Sequence, residues 1–383
     1  NPSSRIYNLS VGEQQRVEII RCLLQNPDLL IMDEPTSVLT PQEINQLFST
    51  LKQLSSNGCS ILFISHKLEE IRTLTTRATV LRRGKNVDTV DTKKHNANSL
   101  ARMMVGYDVE EVIKKNKYPN KELQLQIKNL SIPRENRFST ELKNIKLDVY
   151  SGEILGIAGI SGNGQSELME ILTGEKIINE KNILIFNNQD ITNLTPDQRR
   201  KIGISFIPEE RIGHSAVTEL SLSENVLLTD DKISNKFLDI INYKNLSTIA
   251  SRIINDNDVR TTGNNAKAGS LSGGNLQKFI FGREILQHPR VMIALQPTWG
   301  VDAGSAAAIR QALIDLAAKG AAVLIISQDL EELFEVSDRI AVVCEGELSE
   351  IYSTSSITVD QIGLLMAGIN KGEEKVGSDI YAD

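Results

Sequence analysis

The sequence predicts an α/β protein with a mainly parallel sheet core, and it predicts that core twice. Residues 9–36 (LSVGEQQRVEIIRCLLQNPDLLIMDEPT) join a Ser/Gly turn, an amphipathic helix and a short apolar strand that ends in two carboxylates. Residues 271–298 (LSGGNLQKFIFGREILQHPRVMIALQPT) repeat the plan, with 11 of 28 paired positions identical. The offset of 262 holds without a gap, carrying Leu9 to Leu271, Pro27 to Pro289, Pro35 to Pro297, Ser65 to Ser327 and Gly106 to Gly368. Chance gives about one or two identities in such a block, so one domain type occurs in tandem. A third observation fixes the sheet type. Apolar runs of strand length at 29–32, 60–65, 154–160 and 291–295 alternate with helical patterns, as in parallel strands joined by crossover helices.

Bulk properties narrow the class. The 383 residues give room for two domains, each large enough to bury a core. A hydrophobic content of 40% and a charged content of 24% are those of an ordinary globular chain. A net charge of −7 and a pI near 5.4 argue against nucleic acid as a main partner. Cys22, Cys59 and Cys344 form no CxxC pair, which points to reduced thiols. No run reaches the ~18 apolar residues of a membrane span or has the layout of a signal peptide, so spans would have to come from other chains. Domain boundaries are expected at 1–109, 110–122 (linker), 123–371 and 372–383 (polar tail). The chain starts without Met just before the first Ser/Gly turn, while residues 123–263 precede the second. Copy one therefore lacks a counterpart for about 140 residues, and the chain reads as a fragment.

In copy one, Ser10 with Glu13 three residues on fits a capping box, with Val17, Ile20 and Leu24 on one helix face and Pro27 closing it. A helix start of this kind leaves free N–H groups that suit an anion. Residues 29–32 read as a strand buried on both faces, delivering Asp33 and Glu34 at its carboxyl end, where open α/β sheets bind ligands. Two acids there could also be only a solvated turn. Thr40, Pro41 and Glu43 start a second helix, carried by Ile44, Leu47, Phe48, Leu51 and Leu54 and ended by Gly58. A second buried strand at 60–65 brings His66 to the same edge. Two short strands around Arg83 and Gly84, then a helix running to Gly106, complete the copy. The lysines at 114, 115, 117 and 121 read as linker solvation.

Copy two opens with LQLQIKNLSI, an alternation expected of an edge strand. The strand at 154–160 leads into Gly159, Ser161, Gly162, Asn163, Gly164, Gln165 and Ser166, followed by a helix. This is the spacing of a phosphate-cradling loop whose Lys is replaced by Gln165. Losing a unit charge at ~4 Å removes an attraction on the order of 4 kcal/mol before solvation is discounted. Binding should weaken without vanishing. Helices are expected at 219–228 and 244–257. Ser272, Gly273, Gly274 and Asn275 form the second Ser/Gly turn. Leu295 and Gln296 stand where copy one has Asp33 and Glu34, and Gln328 stands where it has His66.

LSVGEQQ followed by LLIMDEPTSVLT and ISHKL resembles the ATP-binding-cassette (ABC) ATPases. GISGNGQS, LSGGN, QPTWGVD and ISQDL resemble the degenerate second cassette of importers with two fused cassettes, nearest the nucleoside-uptake type, with ribose and galactoside importers beside it. The resemblance runs from about Ser4 to about Lys371 and implies P-loop NTPase cassettes with an antiparallel β subdomain and a helical subdomain. It implies ATP and Mg²⁺ as ligands. Asp33 would hold Mg²⁺ through water, Glu34 would orient or deprotonate the attacking water, and His66 would contact the γ-phosphate and Glu34. Ser166 would ligate Mg²⁺. The turns at Ser10, Val11, Gly12 and Glu13 and at Ser272, Gly273, Gly274 and Asn275 would each reach the γ-phosphate held by the opposite cassette.

The implied partners are two transmembrane permease subunits and an extracytoplasmic substrate-binding protein, in a cassette–cassette dimer at the cytoplasmic face of the plasma membrane, with no nucleic acid. Residues 206–211 fall where the family contacts Mg²⁺ and the permease, Glu209 taking the usual Gln position. The two expected helices at 219–228 and 244–257 match the helical subdomain that docks on the permease, or a plain helical insertion. Phe138 matches either an adenine-stacking ring or a core or surface Phe. Copy two has lost the loop Lys, both acids and the switch His together, which implies a site relieved of hydrolysis. A soluble tandem-cassette factor acting on ribosomes is the rival class, expected to carry a longer charged linker and two intact sites.

Overall fold

The computed structural model describes residue 6 and residues 11–36, 39, 41–65, 67–82, 84–105, 121–134, 139–229, 234–235 and 240–369. Ser10, His66 and Phe138, and most of the expected linker, lie outside them. In copy one the chain runs α1 (Val11–Leu23), β1 (Leu29–Asp33), α2 (Pro41–Ser56), β2 (Ser60–Ile64), α3 (Leu68–Leu74), β3 (Arg77–Arg82), β4 (Lys85–Asp91) and α4 (Ala97–Val105). β1 and β2 pair in parallel, Leu29 opposite Ser60. Leu30, Met32 and Phe63 point into a small core with Leu47, Phe48 and Leu51 of α2, where the Phe48 and Phe63 rings meet edge to face at 6.0 Å.

The opposite faces of β1 and β2, carrying Leu29, Ile31, Leu62 and Ile64, are exposed rather than buried, because no described element covers them. Val17 and Ile20 on α1 and Leu24 just beyond it are also exposed, and Ile19, Cys22 and Leu23 pack on the core instead.

Copy two begins with β5 (Leu123–Ile132), β6 (Leu142–Tyr150), β7 (Ile154–Ala158), α5 (Gln165–Thr173), β8 (Leu184–Phe186), β9 (Gln189–Asp190), α6 (Pro196–Lys201) and β10 (Ile204–Ile207). The helical part follows: α7 (Leu222–Leu227), the short pair β11 (Ser234–Asn235) and β12 (Ile240–Ile241), α8 (Tyr243–Asp256) and α9 (Gly273–Leu286). Then come β13 (Val291–Leu295), α10 (Ala303–Ala318), β14 (Ala322–Ser327), α11 (Leu330–Val336), β15 (Arg339–Cys344), β16 (Glu347–Leu348), β17 (Tyr352–Ser353) and α12 (Val359–Met366).

The main sheet has the order β10-β13-β14-β7-β15-β16, with β17 also on β15; its first five strands are parallel. A separate antiparallel sheet has the order β6-β5-β8-β9, so β5 is an inner strand and not the expected edge. Its alternation instead reflects one buried face, with Leu125, Ile127, Leu130 and Ile132 turned into the core beneath α5. Between α5 and α6 the buried Arg199 donates to five carbonyls: Ile171, Leu172, Ile191, Thr192 and Leu194. Two of these end α5, where a cation also meets the negative end of the helix. Burial pushes the Arg199 pKa down to about 10, still well above neutrality.

The repeat is visible bond by bond. Gln15 donates to the Pro35 carbonyl at 2.6 Å and Gln277 to that of Pro297 at 2.9 Å. The two copies also face each other in a symmetric way. α2 packs on α12 while α4 packs on α10, and the shift of 262 converts the first contact into the second. Such reciprocity marks a pseudo-twofold axis between the copies. On this seam Gln42 Nε2 donates to the Asp360 carbonyl at 3.4 Å, and a side chain at Gly363 would collide with Gln42.

Candidate functional site

The Gly-rich loop joins β7 to α5, as its spacing implies. Gly162 and Gly164 have φ of 87° and 109°, a left-handed backbone that costs a side-chain-bearing residue. A Cβ on Gly164 would also lie 2.8 Å from Leu142. The loop is braced from outside: Thr140 Oγ1 donates to the Gly162 carbonyl at 2.7 Å, and the Glu345 N–H donates to Asn163 Oδ1 at 2.8 Å. Gln165 is buried and turns back on its own loop. Its Nε2 donates to the Ile160 carbonyl at 2.7 Å, and its Oε1 accepts from the Asn163 N–H at 3.1 Å. The Asn163 N–H is shared with the Ile160 carbonyl at 3.2 Å, so side chain and backbone brace the loop together. Ser161 is half-buried, while Ser166, on the first turn of α5, is exposed.

The ends of β7, β13 and β14 are neighbours, with Ala158 opposite Ser327 and Leu295 opposite Ile326. This gathers Gln165, Leu295, Gln296 and Gln328 at one carboxyl edge. Gln296 Oε1 accepts from the Gln328 N–H at 3.3 Å and lies 3.4 Å from Ser327 Oγ. In copy one, Asp33 ends β1 and is exposed; Glu34 follows, half-buried, its N–H bonded to the Ile64 carbonyl at 2.9 Å. The Gln296 N–H makes the matching bond to Ile326 at 2.8 Å. Glu34 and Gln296 share a left-handed backbone, with φ of 46° and 51°. Non-glycine residues adopt this region rarely, and at a cost. Copy two therefore keeps the strained turn that aims the residue while changing its side chain from acid to amide.

Ser272 is the N-cap of α9 without bonding the helix N–H groups; it accepts instead from Asn275 Nδ2 at 2.8 Å. The first N–H groups of a 14-residue helix are thus left for another acceptor. Gly273 and Gly274 are closely surrounded: a Cβ would sit 2.7 Å from Arg211 Nη1 at the first and 3.4 Å from Asp302 Oδ2 at the second. The matching α1 begins at Val11, so Gly12 and Glu13 lie in its first turn.

A buried carboxyl that belongs to none of these motifs lies behind each strand end. Glu332 is fully buried and accepts from Ser327 Oγ at 2.8 Å; Glu70 accepts from Thr36 Oγ1 at 2.7 Å and Ser65 Oγ at 3.3 Å. Burial, with the Asp329 carboxylate adding to it, pushes Glu332 up to about 7, and burial likewise raises Glu70. The signal was present as LEE at 68–70 and again at 330–332. Burial also raises Glu209, with Glu210 as a second cause.

Among the described residues no three His, Cys, Asp or Glu side chains gather as a metal site. Mg²⁺ at a nucleotide is held mostly by phosphate oxygens and water, to which one or two protein oxygens contribute. Ser166 and Asp33 fit that supporting role but stand in different copies. Leu295, the counterpart of Asp33, can offer Mg²⁺ nothing.

A parallel sheet with a phosphate loop at its carboxyl edge, an antiparallel sheet beside it, and a Ser/Gly turn opening a long helix define an ATP-binding cassette, here present in tandem. The family model described as "ABC transporter" matches residues 1–37 and 142–298. The nucleoside import ATP-binding protein NupA of Lactococcus lactis subsp. cremoris is 42% identical over 97% of this chain and 73% of its own length. The guanosine import ATP-binding protein NupO of Bacillus subtilis is 40% identical over 97% and 73%. The ribose import ATP-binding protein RbsA of L. lactis subsp. cremoris is 37% identical over 95% and 72%. Among solved structures, a dimeric ATP-binding cassette bound to ADP and phosphate matches with a TM-score of 0.52 at 23% identity, covering 61% of this chain and all of that one. The archaeal ribosome recycling factor aABCE1 matches with a TM-score of 0.66 at 20% identity, over 94% of this chain and 66% of that one; both likenesses concern the fold. The chain belongs to the ABC transporter family of ATP-binding proteins, whose members are transport ATPases. No described helix is long and apolar enough to cross a membrane.

Proposed function

We propose that the chain energises an importer of nucleosides or simple sugars, working with two permease subunits and a substrate-binding protein at the cytoplasmic membrane face. The names of its relatives support the cargo class. We further propose two unequal ATP sites, each formed head to tail between copies. One joins a Gly-rich phosphate loop of the first cassette to Asp33, Glu34 and His66 and is closed by Ser272, Gly273, Gly274 and Asn275. The other joins the loop from Gly159 to Ser166 with Ser10, Val11, Gly12 and Glu13. The observation that carries this is the contrast at equal backbone geometry: carboxylates at Asp33 and Glu34, but Leu295 and Gln296 at the matching turn.

Glu34 can accept the proton of an attacking water; the Gln296 amide cannot. With Mg²⁺ bound, its charge stabilises the transferring phosphoryl oxygens. The first site then hydrolyses ATP, while the second holds nucleotide and stabilises the closed pair. Converting Glu34→Gln in the intact transporter should lower ATP turnover at least about a hundredfold, and near-normal turnover would refute the assignment. These 383 residues alone should show negligible Mg²⁺-dependent hydrolysis in a phosphate-release assay.

A further inference from the structure

Arg211 behaves unlike a surface arginine. It sits in the segment between β10 and α7, which folds on itself through Ala216 N–H to the Arg211 carbonyl at 2.9 Å and Gly213 N–H to that of Ala216 at 3.0 Å. The segment is tied to α7 by the Val217 N–H, which donates to the buried Asn225 Oδ1 at 2.9 Å. The Arg211 side chain leaves this fold and lies across the Ser/Gly turn of α9. Nη1 donates to the Gly300 carbonyl at 3.4 Å and packs against Gly273, where any Cβ would come within 2.7 Å; Nη2 packs against Gly300.

The guanidinium is half-buried and its pKa is lowered by that burial alone. No carboxylate among the described residues compensates it, and the nearby Glu210 instead faces His214 at 3.8 Å. Desolvating a charge for one long hydrogen bond is a poor source of stability. It is an effective clamp, because a planar fork fits against two glycines that leave it room. On the other side of the same turn, Gly274 abuts Asp302 Oδ2.

We infer that Arg211 is a positioning residue for ATP-driven closure, locking the turn at Ser272, Gly273 and Gly274 to the turn at Gly300. It makes the placement of that turn depend on the 208–216 segment leading into the helical part. The inference rests on the head-to-tail reading, in which this turn completes the hydrolytic site by meeting the γ-phosphate. Only a nucleotide with a γ-phosphate should then feel the loss of Arg211.

The test uses the intact two-cassette protein with Arg211→Ala and Arg211→Lys, reading ADP affinity, ATP-driven approach of the copies by paired spin labels, and turnover. Arg211→Ala should bind ADP within twofold of the parent, yet require at least tenfold more ATP to close and turn over at least tenfold more slowly. Arg211→Lys should recover part of both. Parent-like closure and turnover in Arg211→Ala would overturn the inference alone. So would an equal loss of ADP and ATP binding, which marks a merely structural role. A parent protein that never closes with ATP would overturn the head-to-tail reading itself.

Discussion

Ile31 and Ile293 hold the same place in the repeat, on parallel strands with the same neighbour register, yet one is 60% exposed and the other fully buried. Leu62 and Leu324 differ in the same way. The strands are alike because their sequences are alike; the burial differs because of what lies against them. In copy two that face is covered by β5, β6 and α5, which form one continuous core with it. Likewise Val17 on α1 is exposed while its counterpart Phe279 is fully buried, in a core that α7 and α8 help to build. Burial is a property of the partner surface, and local pattern reports only the readiness to be buried.

The contrast can be sharpened by mutation. Ile293→Ala should cost about 2–5 kcal/mol, whereas Ile31→Ala should cost less than about 1 kcal/mol. Urea midpoints at constant m-value read both. Equal costs would show that copy one is covered in solution.

Next in size is the buried carboxyl of copy two. Glu332 has a folded pKa of about 7 against 4.5 for an exposed Glu, so the unfolded chain ionises first as pH rises. Its presence therefore lowers stability progressively from about pH 4.5 to about pH 7, by on the order of 3 kcal/mol, and no further above that. Glu332→Gln should remove this slope and raise stability most at pH 8; thermal melts at pH 5 and pH 8 check it.

The smallest effect concerns the loop. Gln165→Lys should tighten ATP binding at copy two by about tenfold, since a cation returns beside the phosphates. Titration of a fluorescent ATP analogue measures it.

Much of this was legible in the sequence. The repeat, the phosphate loop, the two Ser/Gly turns and the strand ends follow from residue spacing, with glycine at the left-handed positions Gly162 and Gly164. Helix and strand faces were less legible. The spacing of Val17, Ile20 and Leu24 marks an apolar face that no described element covers, and the alternation of β5 could not distinguish an edge from an inner strand. The Arg211 clamp, the reciprocal α2–α12 and α4–α10 contacts and the hydrogen bonds of Glu70 and Glu332 join residues far apart or lack a motif. Nothing local announces them, although the doubled LEE was a usable hint.

The proposed asymmetry is tested most directly by the nucleotides bound after one turnover. The intact protein, loaded with ATP, allowed a single closure and quenched, should hold one ADP from the first site and one uncleaved ATP on the loop from Gly159 to Ser166. Two ADP per molecule would mean that the second site cleaves as well, and the division of labour between the copies would be wrong.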